Sequence, residues 1–253
     1  MQEFLIFAVI GFLAQICDGA LGMGFGVISS SVLLGLGVPP ALASASVNAA
    51  KIPTTGTAAL SHLYHRNIDR SLVVALCVFG GIGGAIGMLL LTGLKGVWLT
   101  TTITVYLLFV GGLIVLRGIR GVAPRVLPPA WKRTIGFAGG LIEGIGGSWG
   151  PVVTTSLMGA GTESRYAIGS TNFAEFFVAV TVFSAYATAF FIGHWEGGAD
   201  WRSVALPVAG LVLGGIPAAF FGGMLSKITP KRALTVAVGL LAMCIGIYRL
   251  ISG

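Results

Sequence analysis

Charged residues are scarce in this chain. They make up 9% of its 253 residues, and hydrophobic residues make up 55%, whereas soluble domains carry about 25% charged residues. Such a chain cannot cover a folded surface with polar groups, which excludes the soluble globular class. Its long apolar runs predict membrane-spanning helices, because in lipid each segment must satisfy its own backbone hydrogen bonds.

Cysteine and metal-ligand clusters are also scarce. The three cysteines, Cys17, Cys77 and Cys244, lie in apolar runs with spacings that fit neither a disulfide framework nor a zinc site. His62 and His65 stand together without a third ligand nearby in the sequence. No GxxxxGK[ST] phosphate loop is present. We therefore expect no metal, no cofactor, no ATP hydrolysis and no enzyme activity.

The net charge of +7 is spread over short loops. No basic cluster with interleaved aromatics is present, so the charge predicts membrane orientation by the positive-inside rule and not nucleic-acid binding. The stretch from Met1 to Cys17 lacks a basic start and runs into the charged Asp18, so we expect no cleaved signal peptide.

Two stretches of the chain resemble each other. GFLAQICDGALGMGFG begins at Gly11 and is followed by SVNAAK, and GFAGGLIEGIGGSWGP begins at Gly136 and is followed by STNFAE. Asp18 and Glu143 occupy one matching position of the repeat, and Lys51 and Glu175 occupy another. A glycine-rich break beside a buried charge, present twice, is typical of the discontinuous helices at the centre of a membrane transporter.

The hydrophobicity pattern predicts an all-α polytopic membrane protein with about eight hydrophobic segments in two repeats of four. Each repeat opens with a glycine-broken helix, within Phe4–Leu36 and within Ile135–Ala160. We expect the first membrane repeat at 1–117, a basic connector at 118–132 and the second repeat at 133–253.

Loop charges favour an inverted arrangement of the two repeats. If each broken segment dips into the membrane and returns to its own side, eleven of the fourteen lysines and arginines other than Lys51 share one side. If all eight segments cross, the division is nine against five. The positive-inside rule favours the first arrangement, which gives each repeat three crossings and places both termini outside.

The glycine breaks are candidate anion sites, because a helix N-terminus presents unpaired amides to an anion. Gly24, Gly26, Ser148 and Gly150 are the candidates, and Pro151 suits the first turn of a new helix. The alternative is that these glycines serve only close helix packing.

Asn48 and Asn172 match across the repeat, and each shares a helix face with a charged residue three positions later. Either asparagine could donate to a substrate oxyanion or form an interhelical hydrogen bond. The neighbouring hydroxyl residues are candidates for the same substrate site: Ser46, Ser170 and Thr171.

Four charged residues lie inside predicted spans, where charge is costly and marks candidate functional sites. Lys51 could bind an anionic substrate, and Glu175 could carry a proton. The alternative is a structural ion pair between these two residues, and the two interpretations are compatible. Asp18 and Glu143, at the breaks, could take part in coupling or could bond the backbone there.

The paired motifs resemble those of the TauE/SafE family of anion permeases. The resemblance is carried by DGALGMGFGVISSSVLLGLGVPPALASASVNAAK with LSHLYHRNID, and by GFAGGLIEGIGGSWGPVVTTSLMGAGTESRYAIGSTNFAEFF. It implies proton-coupled transport of sulfite, organosulfonates or related small organic acids across the bacterial inner membrane. Family members similar to this chain carry an acid at the position of Lys51. The lysine therefore indicates either a distinct substrate or a different coupling arrangement in this protein.

Alternating access around a midplane site is the mechanism we expect. The alternatives are an anion channel or uniporter without coupling and, less favoured, an intramembrane enzyme. The expected partners are the small anion, protons and the lipid bilayer, and no nucleic acid. A homodimer is left open.

Overall fold

The computed structural model describes residues 2–121, 128, 130–193, 201–228 and 231–252. In that part of the chain it forms ten α-helices and no strand, as the composition predicts. The helices are α1 (Gln2–Leu21), α2 (Phe25–Gly35), α3 (Pro40–Tyr64), α4 (Arg70–Gly93), α5 (Gly96–Arg120), α6 (Trp131–Gly146), α7 (Trp149–Gly159), α8 (Ser164–Phe191), α9 (Trp201–Ile228) and α10 (Lys231–Ser252).

Each predicted broken segment consists of two helices. The first break separates α1 from α2, where Gly22 and Gly24 have φ of 67° and 154°. The second separates α6 from α7, where Gly147 has φ of 69°. Residues with a side chain rarely adopt these backbone angles, so glycine ends the first helix of each pair without strain. Pro151 lies in the first turn of α7, as the sequence predicts.

The connector begins later than expected, since α5 continues to Arg120. Helix α6 begins at Trp131. Residues 122–127 and 129 of the predicted connector lie outside the described residues, as do 194–200 before α9.

Within the described residues, three helical stretches are long and apolar enough to cross a membrane: Arg70–Gly93, Thr101–Arg120 and Arg165–Phe191. Shorter apolar stretches occur at Phe25–Gly35, Ala205–Phe220 and Thr235–Tyr248. Helices α2 and α7 have 11 residues each, or about 16 Å of rise, roughly half of the hydrocarbon thickness of a bilayer.

The helix contacts repeat between the two halves of the chain. Helix α1 packs on α9, and its counterpart α6 packs on α4. Helix α3 packs on α9, and its counterpart α8 packs on α4. The counterparts α3 and α8 also pack on each other, as do α5 and α10. The opening helix of each half is therefore held mainly by a helix of the other half.

Helices α4 and α6 run in the same direction. Gly136, Gly140 and Gly144 approach the backbone of α4 at Leu76, Gly80 and Gly84 in that order, so the residue numbers rise together. Helices α1 and α9 are also parallel, since Gly210 approaches the carbonyl of Phe4 and Gly214 approaches that of Ala8. A methyl group at Gly140 would collide with the carbonyl of Gly80, so glycine permits the close approach.

Counterpart helices run antiparallel where they touch. Between α5 and α10, Gly111 meets Gly239 and Gly118 meets Thr235, so one numbering rises as the other falls. Between α3 and α8, Gly56 meets Phe176, while Asn67, just after α3, meets Gly169.

Candidate functional site

The two helix breaks touch each other inside the protein. The Thr154 hydroxyl, on α7, donates to the carbonyl of Gly22 at 2.9 Å. The Ser30 hydroxyl, on α2, donates to the carbonyl of Gly146 at 2.5 Å. A side chain at Gly26 would collide with the carbonyl of Gly147. At each break, a hydroxyl group from the other half of the chain therefore donates a hydrogen bond to a backbone carbonyl.

A carboxylate spans each break. Asp18 accepts the backbone N–H of Phe25, the first residue of α2, at 3.3 Å. Glu143 accepts the backbone N–H of Trp149, the first residue of α7, at 2.6 Å. The two acids thus have equivalent positions, each bonding a free N–H at the start of the second helix, where negative charge is favoured.

Lys51 lies at the meeting point of the two halves. Its ammonium nitrogen is 2.8 and 3.0 Å from the two oxygens of Glu143. It is also 2.8 Å from Oε1 of Glu175 and donates to the carbonyl of Gly147 at 2.6 Å. An ammonium group has three hydrogens, so these four oxygens use its whole donor capacity in this conformation.

This cluster is buried and carries excess negative charge. Among the side chains that the structure describes, the buried charged groups are Asp18, Lys51, Glu143 and Glu175, all 4% exposed or less. With every group ionised, three carboxylates and one lysine leave the buried groups with two excess negative charges. At an effective dielectric constant of 20, two unit charges 4 Å apart interact by about 4 kcal/mol, so the cluster strongly favours additional positive charge.

The two predicted asparagines bond their own helices. The side-chain amide of Asn48 donates to the carbonyl of Ser44 at 2.9 Å, and that of Asn172 donates to the carbonyl of Ile168 at 3.1 Å. The Oδ1 of Asn48 is buried without a hydrogen-bond partner. The Nδ2 of Asn48 also lies 3.5 Å from the Ser44 hydroxyl, so both contacts of this amide are within its own helix, whereas the bond of Asn172 uses one of its two amide hydrogens.

The predicted hydroxyl residues divide into two groups. Ser46 and Thr171 are buried with hydroxyl oxygens that lack a partner, and the same holds for Ser29 and Ser31 on α2. Ser170 is instead bonded, since its hydroxyl accepts the backbone N–H of Asp69 at 2.9 Å, in the turn before α4. The first group can hydrogen-bond a polar substrate, whereas Ser170 tethers a loop.

The predicted break residues are buried as well. Gly24 precedes α2 and Gly26 lies in its first turn, while Gly150 lies in the first turn of α7. The Ser148 hydroxyl, inside the second break, bonds the hydroxyl of Tyr106. The structure thus gathers carboxylates, one ammonium group, backbone carbonyls and free hydroxyls around the two breaks, a set that can bind small ions and exchange protons.

Comparison with known proteins assigns the family. The model of the family described as "Sulfite exporter TauE/SafE" matches residues 7–249. The chain belongs to the TauE/SafE family. It is also 36% identical over 251 residues to the "Probable membrane transporter protein YtnM" of Bacillus subtilis (strain 168), covering 94% of this chain and 80% of that protein. No solved structure matches the chain significantly.

Membership of the TauE/SafE family identifies the chain as a multi-pass membrane transporter and confirms the resemblance. Ionisable residues inside the membrane segments of a transporter are candidates for its ion or proton pathway, so the buried cluster is the candidate site of this protein.

Sequence reasoning missed two tyrosines at the site of this TauE/SafE protein. The Tyr186 hydroxyl donates to the carbonyl of Gly144 at 2.7 Å, and Tyr106 bonds Ser148. Both side chains are buried. A tyrosine inside a span is a signal that could have been noticed, since its hydroxyl needs a partner in lipid or in the protein interior.

A pair of aromatic residues was also missed. Phe25 and Trp149 begin α2 and α7, are equivalent in the repeat and are almost fully buried. Each packs against a glycine of the other half: Phe25 lies over Gly215, and Trp149 over Gly80. These rings anchor the tips of the short helices, and their matching positions immediately after the breaks were visible in the sequence.

Proposed function

We propose that the protein is a secondary transporter that moves a small anion across the bacterial inner membrane together with protons. The anion is sulfite, an organosulfonate or a related small organic acid. The observation that carries the proposal is the buried cluster at the two helix breaks, where Lys51 contacts Glu143 and Glu175 and Asp18 is a third buried carboxylate.

Electrostatics supports coupling to protons. An anion that approaches the fully ionised cluster is repelled by two excess negative charges in a medium of low dielectric constant. Protons on Glu175 and Asp18 remove that excess and leave the pair of Lys51 and Glu143. In our proposal the anion and the protons therefore bind together and move in the same direction.

Lys51 supplies the countercharge for the anion in this scheme. In the present conformation its ammonium group is fully used by Glu143, Glu175 and Gly147. Protonation of Glu175 weakens one of these contacts and frees a donor for the anion, while the two Glu143 oxygens keep the ammonium in place.

The unpartnered hydroxyls complete the proposed anion site. Ser46 and Thr171, with Ser29 and Ser31, have buried oxygens without a partner, and a buried polar group without a partner costs free energy. The oxygen atoms of a sulfite or sulfonate group can accept hydrogen bonds from these hydroxyl groups. The proposed site also includes Asn172, whose amide has a second hydrogen beyond its bond to Ile168, and Asn48 as its counterpart in the repeat. The backbone amides at Gly24, Gly26 and Gly150 belong to it by their position at helix starts.

We further propose that the two halves are inverted repeats which rock against each other to give alternating access. In support, the counterparts α5 and α10 run antiparallel, as do α3 and α8. Counterparts related by an axis in the membrane plane have opposite directions, whereas an axis along the membrane normal would make them parallel. The 11-residue helices α2 and α7 then return to the side from which α1 and α6 entered.

The decisive experiment is uptake and counterflow in proteoliposomes with labelled sulfite, sulfoacetate, taurine and lactate. We expect a pH gradient, acidic outside, to drive uptake of at least one of these anions at zero membrane voltage. Flux that follows voltage and ignores the pH gradient would identify a channel or uniporter. No flux of any of the four anions through folded, reconstituted protein would contradict the proposal.

A further inference from the structure

We propose that Glu143, Glu175 and the Gly147 carbonyl form a binding site for a small monovalent cation, and that the Lys51 ammonium group is its tethered occupant. The site would take ammonium or methylammonium if the lysine side chain were removed. The inference concerns what holds the two halves together, and it does not depend on which anion the protein carries.

The contacts around the ammonium group are those of a bound ion. Four oxygens surround the nitrogen at 2.6–3.0 Å, three from two carboxylates and one from a backbone carbonyl. All are acceptors, and the lysine and both glutamates are at most 4% exposed. These distances are normal for charge-assisted hydrogen bonds from an ammonium group, and a free ammonium ion donates in the same way.

The oxygen atoms that surround the ammonium group all belong to the second half of the chain. Glu143 lies on α6, Gly147 at the break and Glu175 on α8, whereas Lys51 reaches them from α3 of the first half. Glu143 also bonds the N–H of Trp149, which fixes one wall of the site independently of the lysine. The site therefore has structure of its own, and the lysine enters it from outside.

Space for the occupant is provided by a glycine. A Cβ atom at Gly26 would come within 2.8 Å of the Lys51 nitrogen and would overlap the Gly147 carbonyl. The helix α2 thus covers the site without filling it, and the volume next to the carbonyl remains available to an ammonium group.

Lys51 is a departure from the internal repeat, because the matching residue of the second half is an acid. Lys51 of the first half corresponds to Glu175 of the second half, and Asp18 of the first half corresponds to Glu143. The first half thus has a cation at the position where the second half has an acid, and this cation contacts both acids of the second half. The lysine of the first half therefore fills, as a tethered ammonium group, the cation site that the second half forms.

The test measures stability and needs no transport. Lys51→Ala and wild-type protein are unfolded thermally in one detergent, in ammonium chloride, methylammonium chloride or choline chloride at equal ionic strength. We expect ammonium to raise the Tm of Lys51→Ala in a saturable manner, by on the order of 3 °C relative to choline at concentrations well above Kd. Wild-type protein should show no such difference, since its site is filled.

The matched control is Lys51→Ala combined with Glu143→Gln, which removes two of the four oxygen contacts as charged acceptors. It should lose the ammonium-dependent shift. Lys51→Gln, which better preserves side-chain volume, replaces Lys51→Ala if the alanine variant is too unstable to purify, and must show a shift in the same direction.

Three results would overturn the proposal. One is a folded Lys51→Ala or Lys51→Gln protein whose Tm is the same in ammonium, methylammonium and choline. Another is an equal ammonium shift with and without Glu143→Gln, which would place the ion elsewhere. The third is failure of both lysine variants to fold even in ammonium, because a site with structure of its own would accept the free ion.

Discussion

Lys51 and Glu143, 92 positions apart in the chain, form a buried pair in which both carboxylate oxygens lie within 3.0 Å of the ammonium nitrogen. Glu143 at the same time bonds the first N–H of α7. One carboxylate thus joins the first half of the chain to the break of the second.

Replacement of Lys51 should weaken anion binding. Lys51→Ala removes the only buried cation among the described side chains, so we expect at least a tenfold rise in Kd for the transported anion, or ~1.4 kcal/mol. Lys51→Glu should abolish binding, because it adds a fourth carboxylate. Binding to purified protein is the measurement, and unchanged affinity in a folded Lys51→Ala protein would contradict the assignment.

Glu175→Gln should uncouple transport from protons. The amide keeps an oxygen near Lys51 but cannot exchange a proton, so we expect anion flux to lose its response to a pH gradient. Flux is compared in proteoliposomes with and without the gradient. Glu163→Gln is the matched control, because its carboxylate is 62% exposed in a surface pair with Arg165 and should leave the response intact. If Glu175→Gln responds like wild type, the coupling role is wrong.

Glu143→Gln should destabilise the protein more than Asp18→Asn. Each amide keeps an oxygen that can accept the N–H across its break, but Glu143→Gln also removes a carboxylate from the buried lysine. Loss of one partner of a buried ion pair costs about 3–5 kcal/mol. Thermal unfolding of the two variants in the same detergent decides the order, and an equal or larger effect of Asp18→Asn would contradict it.

Gly140→Ala should disrupt packing between α4 and α6. The added methyl group would collide with the carbonyl of Gly80, and backbone cannot move aside as a flexible side chain can. We expect a loss of about 1–3 kcal/mol, the usual cost of overpacking. Gly112→Ala, where no atom lies within 4 Å of the new methyl, is the control and should stabilise its helix by up to about 1 kcal/mol. The prediction fails if both variants unfold alike.

The topology can be tested by labelling single cysteines from outside intact cells, in a background that lacks Cys17, Cys77 and Cys244. Under the inverted arrangement, cysteines replacing Ser71 and Glu163 are both protected, and one replacing Lys95 is labelled. All three positions are exposed at helix ends. Labelling at position 163 with protection at position 71 would indicate eight full crossings and parallel halves.

The sequence alone determined the class of the protein and the location of its breaks. Low charge and long apolar runs leave only membrane helices, and the glycines at Gly22, Gly24 and Gly147 end helices because of their backbone freedom. The repeated motif also drew attention to Asp18, Glu143, Lys51 and Glu175, since charge in a span is costly wherever it falls. These signals are local, so they can be read along one segment.

The tertiary structure decided which of these groups meet. The repeat aligns Lys51 with Glu175 but does not indicate which groups Lys51 contacts. In the structure its ammonium group contacts Glu143, Glu175 and the carbonyl of Gly147. Tyr106, on α5, bonds Ser148 in the second break, and Tyr186, on α8, bonds Gly144 in the last turn of α6. Ser170 bonds the turn before α4. Such partners depend on how helices from opposite halves pack. A hydrophobicity pattern shows that a face is buried but does not specify which helix covers it.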